Sequence, residues 1–136
     1  MWPLAPLEIA LSIENRVGAL AEVTKVLAEA GVSVSGLTLG RGPDRMNLRL
    51  VVDKPELAIA ELALRGFEAK RNEVLTHRVS NRPGAIAEAA ARLAERGINV
   101  EAVFLSAKSS KRVDLIFQVD DVDAARKALA RSAEEE

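Results

Sequence analysis

The chain has 136 residues, 49% of them hydrophobic, and its 19 Lys and Arg against 20 Asp and Glu give a formal net charge of −1. A charge so close to balance excludes a global electrostatic attraction to nucleic acid or to an acidic membrane. The absence of Cys excludes disulfides, thiolate catalysis and Cys-ligated metal sites. A unit of about 60 to 70 residues is only marginally stable alone, so we expect two units that share an interface, or a dimer.

The beginning of the chain carries no targeting signal that we recognise. It has two prolines and no basic region, and no later apolar run approaches about 18 residues. We therefore expect no signal peptide and no membrane span, and we expect a cytoplasmic protein. We also expect no cofactor and no bound metal.

The first half of the chain predicts the order strand, helix, strand, strand, helix, strand. Apolar residues alternate along residues 7–13, which is typical of a strand buried on one face. From Gly18 the apolar spacing becomes helical, and it ends at Gly31, a residue suited to the left-handed conformation that stops a helix. In the strand at residues 32–39 the apolar parity changes across Ser35 and Gly36, which predicts a bulge.

The rest of this half contains a strand, a helix and a last strand. Residues 46–52 alternate again, and Asp53-Lys54-Pro55-Glu56 predicts a helix whose N-cap is Asp53. Gly66 should end that helix near Arg65. Phe67 and Ala69 then predict a short fourth strand.

The second half of the chain repeats the first. Four pairs of matching residues stand 66 positions apart, namely Asn15 and Asn81, Gly18 and Gly84, Leu27 and Leu93, and Gly31 and Gly97. The parity change recurs at Glu101-Ala102, and Asp120-Asp121 should cap a final helix. The last six residues contain no alternating apolar run, so the second unit lacks a clear last strand.

The missing strand has a structural consequence. In a split βαβ sheet the fourth strand lies beside the first, so the strand predicted from Glu73 to Val79 would have an unpaired edge, which proteins usually cover. We predict that the N-terminal segment with Trp2 and Leu4, the other unit or a second chain covers it.

Each half joins a strand, an Asn-x-Pro-Gly-x-Leu-like turn, a helix that ends in Gly, and an apolar-Asn/Ser-apolar strand. This combination resembles the ACT domain, the ligand-binding regulatory module of amino-acid metabolism. The resemblance covers residues 7–130, occurs twice, and is greatest to small stand-alone proteins made only of tandem ACT domains. It implies an α+β fold of two ferredoxin-like βαββαβ units with antiparallel sheets and helices on one face, divided as residues 7–71 and 72–133.

The resemblance also implies where a ligand binds and how the units associate. ACT units usually associate through sheets or helices, so we expect a homodimer, and their ligands usually lie at unit interfaces near the first strand-to-helix turn. The implied ligand-binding residues are Asn15, Arg16, Val17, Gly18, Ala19 and Leu20 in the first turn, Asn81, Arg82, Pro83, Gly84, Ala85 and Ile86 in the second, and Asn99 beside the second. Free N–H groups in the first turn of a helix favour a carboxylate.

The two turns do not match the ACT pattern equally. Val17 replaces the usual proline in the first turn, and Ser33 stands where the second unit has Asn99. The second turn is therefore the closer match. We leave open whether the first turn binds a ligand.

Several residues have both a structural and a functional interpretation. Asn15 and Asn81 would be helix N-caps or ligand contacts, and Arg16 and Arg82 would be carboxylate clamps or solvated loop charges. His77 is predicted on the core face of its strand, as a buried or interface histidine or as a ligand or pH sensor.

The glycines of the turns and the basic loop also have two interpretations. Gly18 and Gly84 would serve ligand approach or close packing of strand and helix. The basic stretch Lys108-Ser109-Ser110-Lys111-Arg112 is predicted to be a solvated hairpin turn rather than a nucleic-acid patch.

These patterns favour a non-enzymatic regulatory protein that binds a small molecule, an amino acid, with no nucleic-acid and no membrane partner. One His, no Cys and no Tyr leave few groups for acid-base or nucleophilic catalysis. The alternative is a structural ACT module that oligomerises and acts through protein contacts without a ligand.

Overall fold

The computed structural model describes residues 7–107 and 109–130. Contacts between Cα atoms divide the chain into two units, one of residues Leu7–Asn72 and one that begins at Glu73. The predictions for Trp2, Leu4, Lys108 and the last six residues lie outside the described residues.

The first unit has the order βαββαβ. Its elements are β1 (Leu7–Ile13), α1 (Ala19–Glu29), β2 (Val34–Arg41), β3 (Met46–Val52), α2 (Pro55–Leu64) and β4 (Lys70–Glu73). The sheet has the strand order β2-β3-β1-β4, with β3 antiparallel to both β1 and β2. This is the ferredoxin-like order, in which the fourth strand lies beside the first.

The second unit repeats this arrangement without a fourth strand in its described part. It contains β5 (Leu75–Ser80), α3 (Ala85–Glu95), β6 (Val100–Ala107), β7 (Arg112–Val119) and α4 (Val122–Leu129). The three strands form an antiparallel sheet in the order β5-β7-β6. The predicted α+β class with two antiparallel sheets is confirmed, and the cover of the β5 edge stays a prediction.

Each unit has its own apolar core between one sheet face and its helices. In the first unit Ile9 and Leu50 of the sheet share a core with Leu27 of α1. In the second unit Leu115 of the sheet shares a core with Leu93 of α3. Leu27 and Leu93, which stand 66 positions apart, occupy equivalent positions on the buried faces of α1 and α3.

Both predicted bulges are present. The pairing of β2 with β3 shifts register between Val34 and Gly36, and the pairing of β6 with β7 shifts between Val100 and Ala102. An extra residue at a bulge moves the following side chains to the opposite face. The parity change in the sequence therefore correctly predicted a bulge in each sheet.

The fourth strand of the first unit begins later than predicted. Phe67 and Ala69 precede β4 and pack partly buried against the first core. The backbone N–H of Phe67 donates to the carbonyl of Leu62 at 2.9 Å, so the chain is still closing the end of α2 there. The alternating apolar residues indicated which side chains are buried, namely Phe67 and Ala69. Strand pairing begins only after them, at Lys70.

The prediction that Asp53 caps α2 is wrong, since Lys54 occupies the N-cap position. The Asp53 carboxylate instead accepts the backbone N–H of Ser33 at 2.9 Å, and its own N–H donates to the Ser33 carbonyl at 3.1 Å. The second unit repeats this tie between Asp120 and Asn99 at 3.0 and 3.2 Å. The predicted cap of α4 is confirmed at Asp121, which accepts the N–H of Ala124 at 3.0 Å.

The sheet face of the first unit that points away from the core contains a buried carboxylate. The Glu8 side chain is 1% exposed and accepts two hydrogen bonds from Arg49, at 3.0 and 2.8 Å, and one from Asn72 at 2.9 Å. The alternating pattern of residues 7–13 indicated burial on one face only. The structure buries Glu8 on the other face because the two partners satisfy its oxygens.

We expect Glu8→Ala to destabilise the first unit by about 3 kcal/mol, since it leaves the Arg49 charge without its partner. This is the low end for buried pairs because the Arg49 side chain is 21% exposed. The measurement is urea unfolding. Glu29→Ala, on the exposed end of α1, is the control and should change stability by less than about 0.5 kcal/mol. Equal effects of the two variants would contradict a structural role for Glu8.

Candidate functional site

The two strand-to-helix turns have the same backbone geometry. In the first, the N–H of Arg16 donates to the Glu14 carbonyl at 3.0 Å, that of Ala19 to the Arg16 carbonyl at 3.3 Å, and that of Glu22 to the Gly18 carbonyl at 3.0 Å. The second turn repeats these three bonds at 3.0, 3.3 and 2.9 Å. The duplication therefore extends from the sequence to the individual hydrogen bonds of the turn.

A glycine in the left-handed conformation starts each helix. Gly18 has φ 88° and Gly84 has φ 87°, and both occupy the N-cap position. The nearest atom to a Cβ built on Gly84 would be the Arg82 guanidinium at 3.8 Å. The space is therefore free, and the requirement for glycine is conformational rather than one of close strand-helix packing.

These turns leave backbone donors exposed at the start of each helix. Within the described part of the chain, no acceptor is found for the N–H groups of Leu20 and Ala21 in α1 or of Ile86 and Ala87 in α3. Such groups at a helix N-terminus carry partial positive charge and suit an anion. The glycine N-caps help to keep these N–H groups free, because glycine has no side chain that could accept a hydrogen bond from them.

A cavity of about 430 Å³ opens at the first turn. The turn contributes Asn15, Arg16, Gly18, Ala19 and Leu20 to its lining, and Ala21 and Thr24 of α1 also line it. Its remaining residues are Ile13, Glu14, Leu39 and Met46. The cavity thus has a polar side with backbone donors and an apolar side. Val17, which is 99% exposed, is directed to solvent.

A larger cavity of about 860 Å³ also borders the first turn and shares part of its lining with the smaller one. It lies beside β1 and the segment before β4, and its lining includes Arg45, Asn47 and Lys70. Arg16 lines both cavities, whereas Glu22 lines only the larger one. Arg16 is therefore shared between the two spaces.

Each turn arginine is held by a glutamate of the following helix. Arg16 donates to Glu22 at 2.6 Å and to Glu14 at 2.9 Å, while Arg82 donates to Glu88 at 2.7 Å. The hydrogen bonds that Arg16 donates to Glu22 and Arg82 donates to Glu88 are the main cause of the raised pKa of each arginine. These arginines are thus neither isolated loop charges nor open clamps.

Sequence reasoning missed Glu22 and Glu88. Each is the fourth residue of its helix and stands six positions after the arginine that it binds. The signal was available, because the two glutamates keep the 66-residue spacing of the turns. It went unused because the ion pair spans the turn and has no simple sequence pattern.

The helix-capping interpretation of the two asparagines is wrong. Gly18 and Gly84 are the N-caps, and no side chain caps either helix. The Asn81 side chain donates to the Ser110 carbonyl at 3.1 Å, and its N–H donates to the Lys111 carbonyl at 2.8 Å. Asn81 therefore ties its turn to the hairpin between β6 and β7.

Asn15 has a different environment from Asn81. Its exposed side chain lines the 430 Å³ cavity and makes no hydrogen bond to any described residue. The two positions are equivalent in the sequence, but the Asn81 amide is bound to Ser110 while the Asn15 amide makes no bond to a described residue. This difference arises because the first unit has no equivalent of the Ser110 contact.

The structure does not bring Asn99 beside the second turn. Asn81 binds Lys111, just before β7, whereas Asn99 binds Asp120, just after β7. The eight residues of β7 separate these points, a distance of about 25 Å along an extended strand. Of the second-turn residues, Ala85 is buried in the core, while Pro83 and Ile86 are exposed.

His77 lies on the core side of β5, as predicted. It pairs with Leu115 of β7, and its neighbours on the same face, Leu75 and Val79, belong to the second core. The side chain is half-buried. His77 stands three positions before the end of β5 at Ser80 and is not part of the turn.

The described residues contain neither a cluster of metal-ligating side chains nor a helix suited to cross a membrane. No group of three His, Asp or Glu side chains in residues 7–107 and 109–130 is placed to hold a metal ion. Over the same ranges, no helix combines the length and apolar character that crossing a membrane requires.

Ser109, Ser110 and Lys111 form the turn between β6 and β7. The backbone N–H of Ser109 closes this turn by donating to the carbonyl of Arg112 at 3.3 Å.

Comparison with solved structures gives relatives of nearly the same length. The protein BT0572 from Bacteroides thetaiotaomicron has a TM-score of 0.85 and 26% identity, over 91% of this chain and 85% of that chain. The ligand-free regulatory subunit of aspartate kinase from Thermus thermophilus has a TM-score of 0.71 and 25% identity, over 94% and 93%. The corresponding subunit from Thermus flavus, at 24% identity and a TM-score of 0.68 over 93% and 92%, shares the fold.

No curated protein matches the chain. The family model described as an ACT domain pair matches residues 5–133. This match covers both turns, both sheets and all four described helices. The chain therefore belongs to the family of ACT domain pairs.

Proposed function

We propose that this ACT domain pair is a non-enzymatic regulatory protein that binds an amino acid at its strand-to-helix turns. The observation that carries the proposal is the cavity at the first turn, where the N–H groups of Leu20 and Ala21 have no acceptor in the described part of the chain. Similarity to a subunit that is itself named regulatory, in Thermus thermophilus aspartate kinase, supports the regulatory role.

The lining of the cavity fits the three parts of an amino acid. The α-carboxylate accepts hydrogen bonds from the N–H groups of Leu20 and Ala21, where the helix N-terminus favours a negative charge. The amino group donates to the side-chain oxygen of Asn15. The side chain of the ligand contacts Leu39 and Met46, which are both half-buried and apolar, so the proposal favours an apolar amino acid.

The second turn has the same free N–H donors, but the apolar side chains beside them are more exposed to solvent. Ile86 and Leu105, which stand 66 positions after Leu20 and Leu39, are 48% and 54% exposed. A ligand here contacts the N–H groups of Ile86 and Ala87 and the exposed faces of these two side chains. Asn99 takes no part in this site within its own unit, because it lies at the other end of β7.

The proposal is tested by thermal-shift screening of the L-amino acids, followed by calorimetry of those that bind. A ligand at about 100 times its Kd should stabilise the protein by about 2.7 kcal/mol. Leu39→Arg, which fills the apolar side of the first cavity, should remove one binding site per chain. Leu105→Arg is the matched variant in the second unit and should remove the site at the second turn. If no amino acid raises the melting temperature of the unmodified protein, the proposal is wrong.

A second function, association through protein contacts, is favoured by one feature of the second sheet. Val103 and Leu105 are 49% and 54% exposed on β6, which is an edge strand. Apolar side chains on an exposed edge indicate a surface that another chain covers. We propose that a second copy of the chain covers it, which gives a homodimer.

This association is tested by sedimentation in the absence of ligand. Val103→Arg should convert a dimer into a monomer, because it places a charge in the apolar contact. Leu64→Arg, on α2 and 77% exposed in the native chain, is the control and should leave the dimer intact. A monomeric unmodified protein, or loss of the dimer in both variants, would contradict the proposed surface.

A further inference from the structure

The two turns contain the same closed ion pair despite different surroundings. Arg16 and Glu22 meet at 2.6 Å with side chains 44% and 50% exposed, and Arg82 and Glu88 meet at 2.7 Å with both 49% exposed. Three of the five residues between the paired side chains are the same in the two turns, and two differ, Val17 and Leu20 in the first against Pro83 and Ile86 in the second. The pair therefore forms in both turns although these two side chains differ.

The position of the first pair connects it with the ligand cavity. Arg16 lines the 430 Å³ cavity at the first turn, and no Lys or other Arg among the described residues is part of that lining. Glu22 holds the guanidinium from the side of the larger cavity. A carboxylate in the smaller cavity and the Glu22 carboxylate are therefore both attracted by the single positive charge of Arg16, part of whose N–H donors Glu22 and Glu14 already occupy.

We propose that Glu22 and Glu88 are internal competitors of the ligand carboxylate: the helix N–H groups bind the carboxylate, the turn arginine attracts it further, and each glutamate weakens that attraction by holding its arginine. This inference rests on the proposed amino-acid binding at the turns. It assigns these two glutamates, neither of which contacts the ligand, as positioning residues that set the affinity and the selectivity for carboxylates.

The two competitors are not equally strong. Arg16 also donates to Glu14 at 2.9 Å, so two carboxylates hold it, whereas Ser80 stands at the equivalent position of the second turn. The first group of three side chains has a net charge of −1, whereas Glu88 is the one carboxylate bound to Arg82 among the described residues. The second turn consequently releases its arginine to a ligand carboxylate more readily than the first.

The test uses acetate as the carboxylate probe and the Nε–H signals of Arg16 and Arg82 in NMR spectra of the full chain. Glu88→Gln keeps the size of the side chain and removes its charge. Acetate should then bind at Arg82 roughly two- to fivefold more tightly than in the unmodified protein, the range measured for exposed ion pairs. The signal of Arg96, an exposed residue outside both turns, reports non-specific acetate binding in the same sample.

A reciprocal exchange at the position before the turn provides the matched variants. Ser80→Glu should weaken acetate binding at Arg82, and Glu14→Ser should strengthen it at Arg16, each by a similar factor. Unchanged acetate affinity at Arg82 in both Glu88→Gln and Ser80→Glu would overturn the inference. Ser80→Glu leaves Glu88 in place, so it tests the same competition if Glu88→Gln does not fold.

The outcomes also separate this inference from the proposed function. If amino acids bind the second turn of the unmodified protein and of Glu88→Gln with equal affinity, the competition is wrong and amino-acid binding stands. If no amino acid binds either protein, the proposed function is wrong, whatever acetate does at Arg82. Tighter binding of an amino acid to Glu88→Gln, with a larger shift of the Arg82 signal, supports both.

Discussion

The left-handed glycine at the start of each helix is the constraint on which the candidate site depends. It turns the chain sharply from the end of a strand into a helix, and only glycine adopts this conformation at low cost. The same glycine supplies no capping side chain, so the N–H groups of the next two residues stay available. It also leaves open space in which the neighbouring arginine folds back over the helix. One conformational requirement thus produces the donors, the cavity mouth and the ion pair.

Duplication has preserved this turn and changed what surrounds it. The backbone hydrogen bonds and the arginine-glutamate distances are nearly the same in the two copies. The asparagines differ, since Asn81 is bound to the neighbouring hairpin while Asn15 faces a cavity. The resemblance to the ACT pattern is closer in the second turn, yet the more enclosed space lies at the first. Similarity of sequence and availability of a binding surface are therefore separate properties of these turns.

Carboxylates stabilise the backbone of this fold in ways that simple helix rules do not describe. Asp53 and Asp120 each tie the end of one strand to the start of another by a pair of bonds to a single residue. Glu8 lies inside the sheet face opposite the core and is satisfied by Arg49 and Asn72. Glu8 is kept in a buried position because Arg49 and Asn72 satisfy its oxygens, whereas Asp53 and Asp120 are exposed and act through their bonds to the backbone. The Glu8 interactions also hold β1, the strand that leads into the first turn.

The sequence by itself determined the elements, their order and the duplication. Periodic burial and glycine conformations are local properties, so β3, both bulges and the ends of α1 and α2 were predictable from residues within a few positions. The partners of polar side chains were not, because they depend on which distant segments the fold brings within about 3 Å. Tertiary structure alone decided that Asp53 binds Ser33, that Asn81 binds the hairpin, and that Asn99 lies far from the second turn. It also decided that Arg16 and Arg82 are closed on Glu22 and Glu88, since only the folded turn sets that distance.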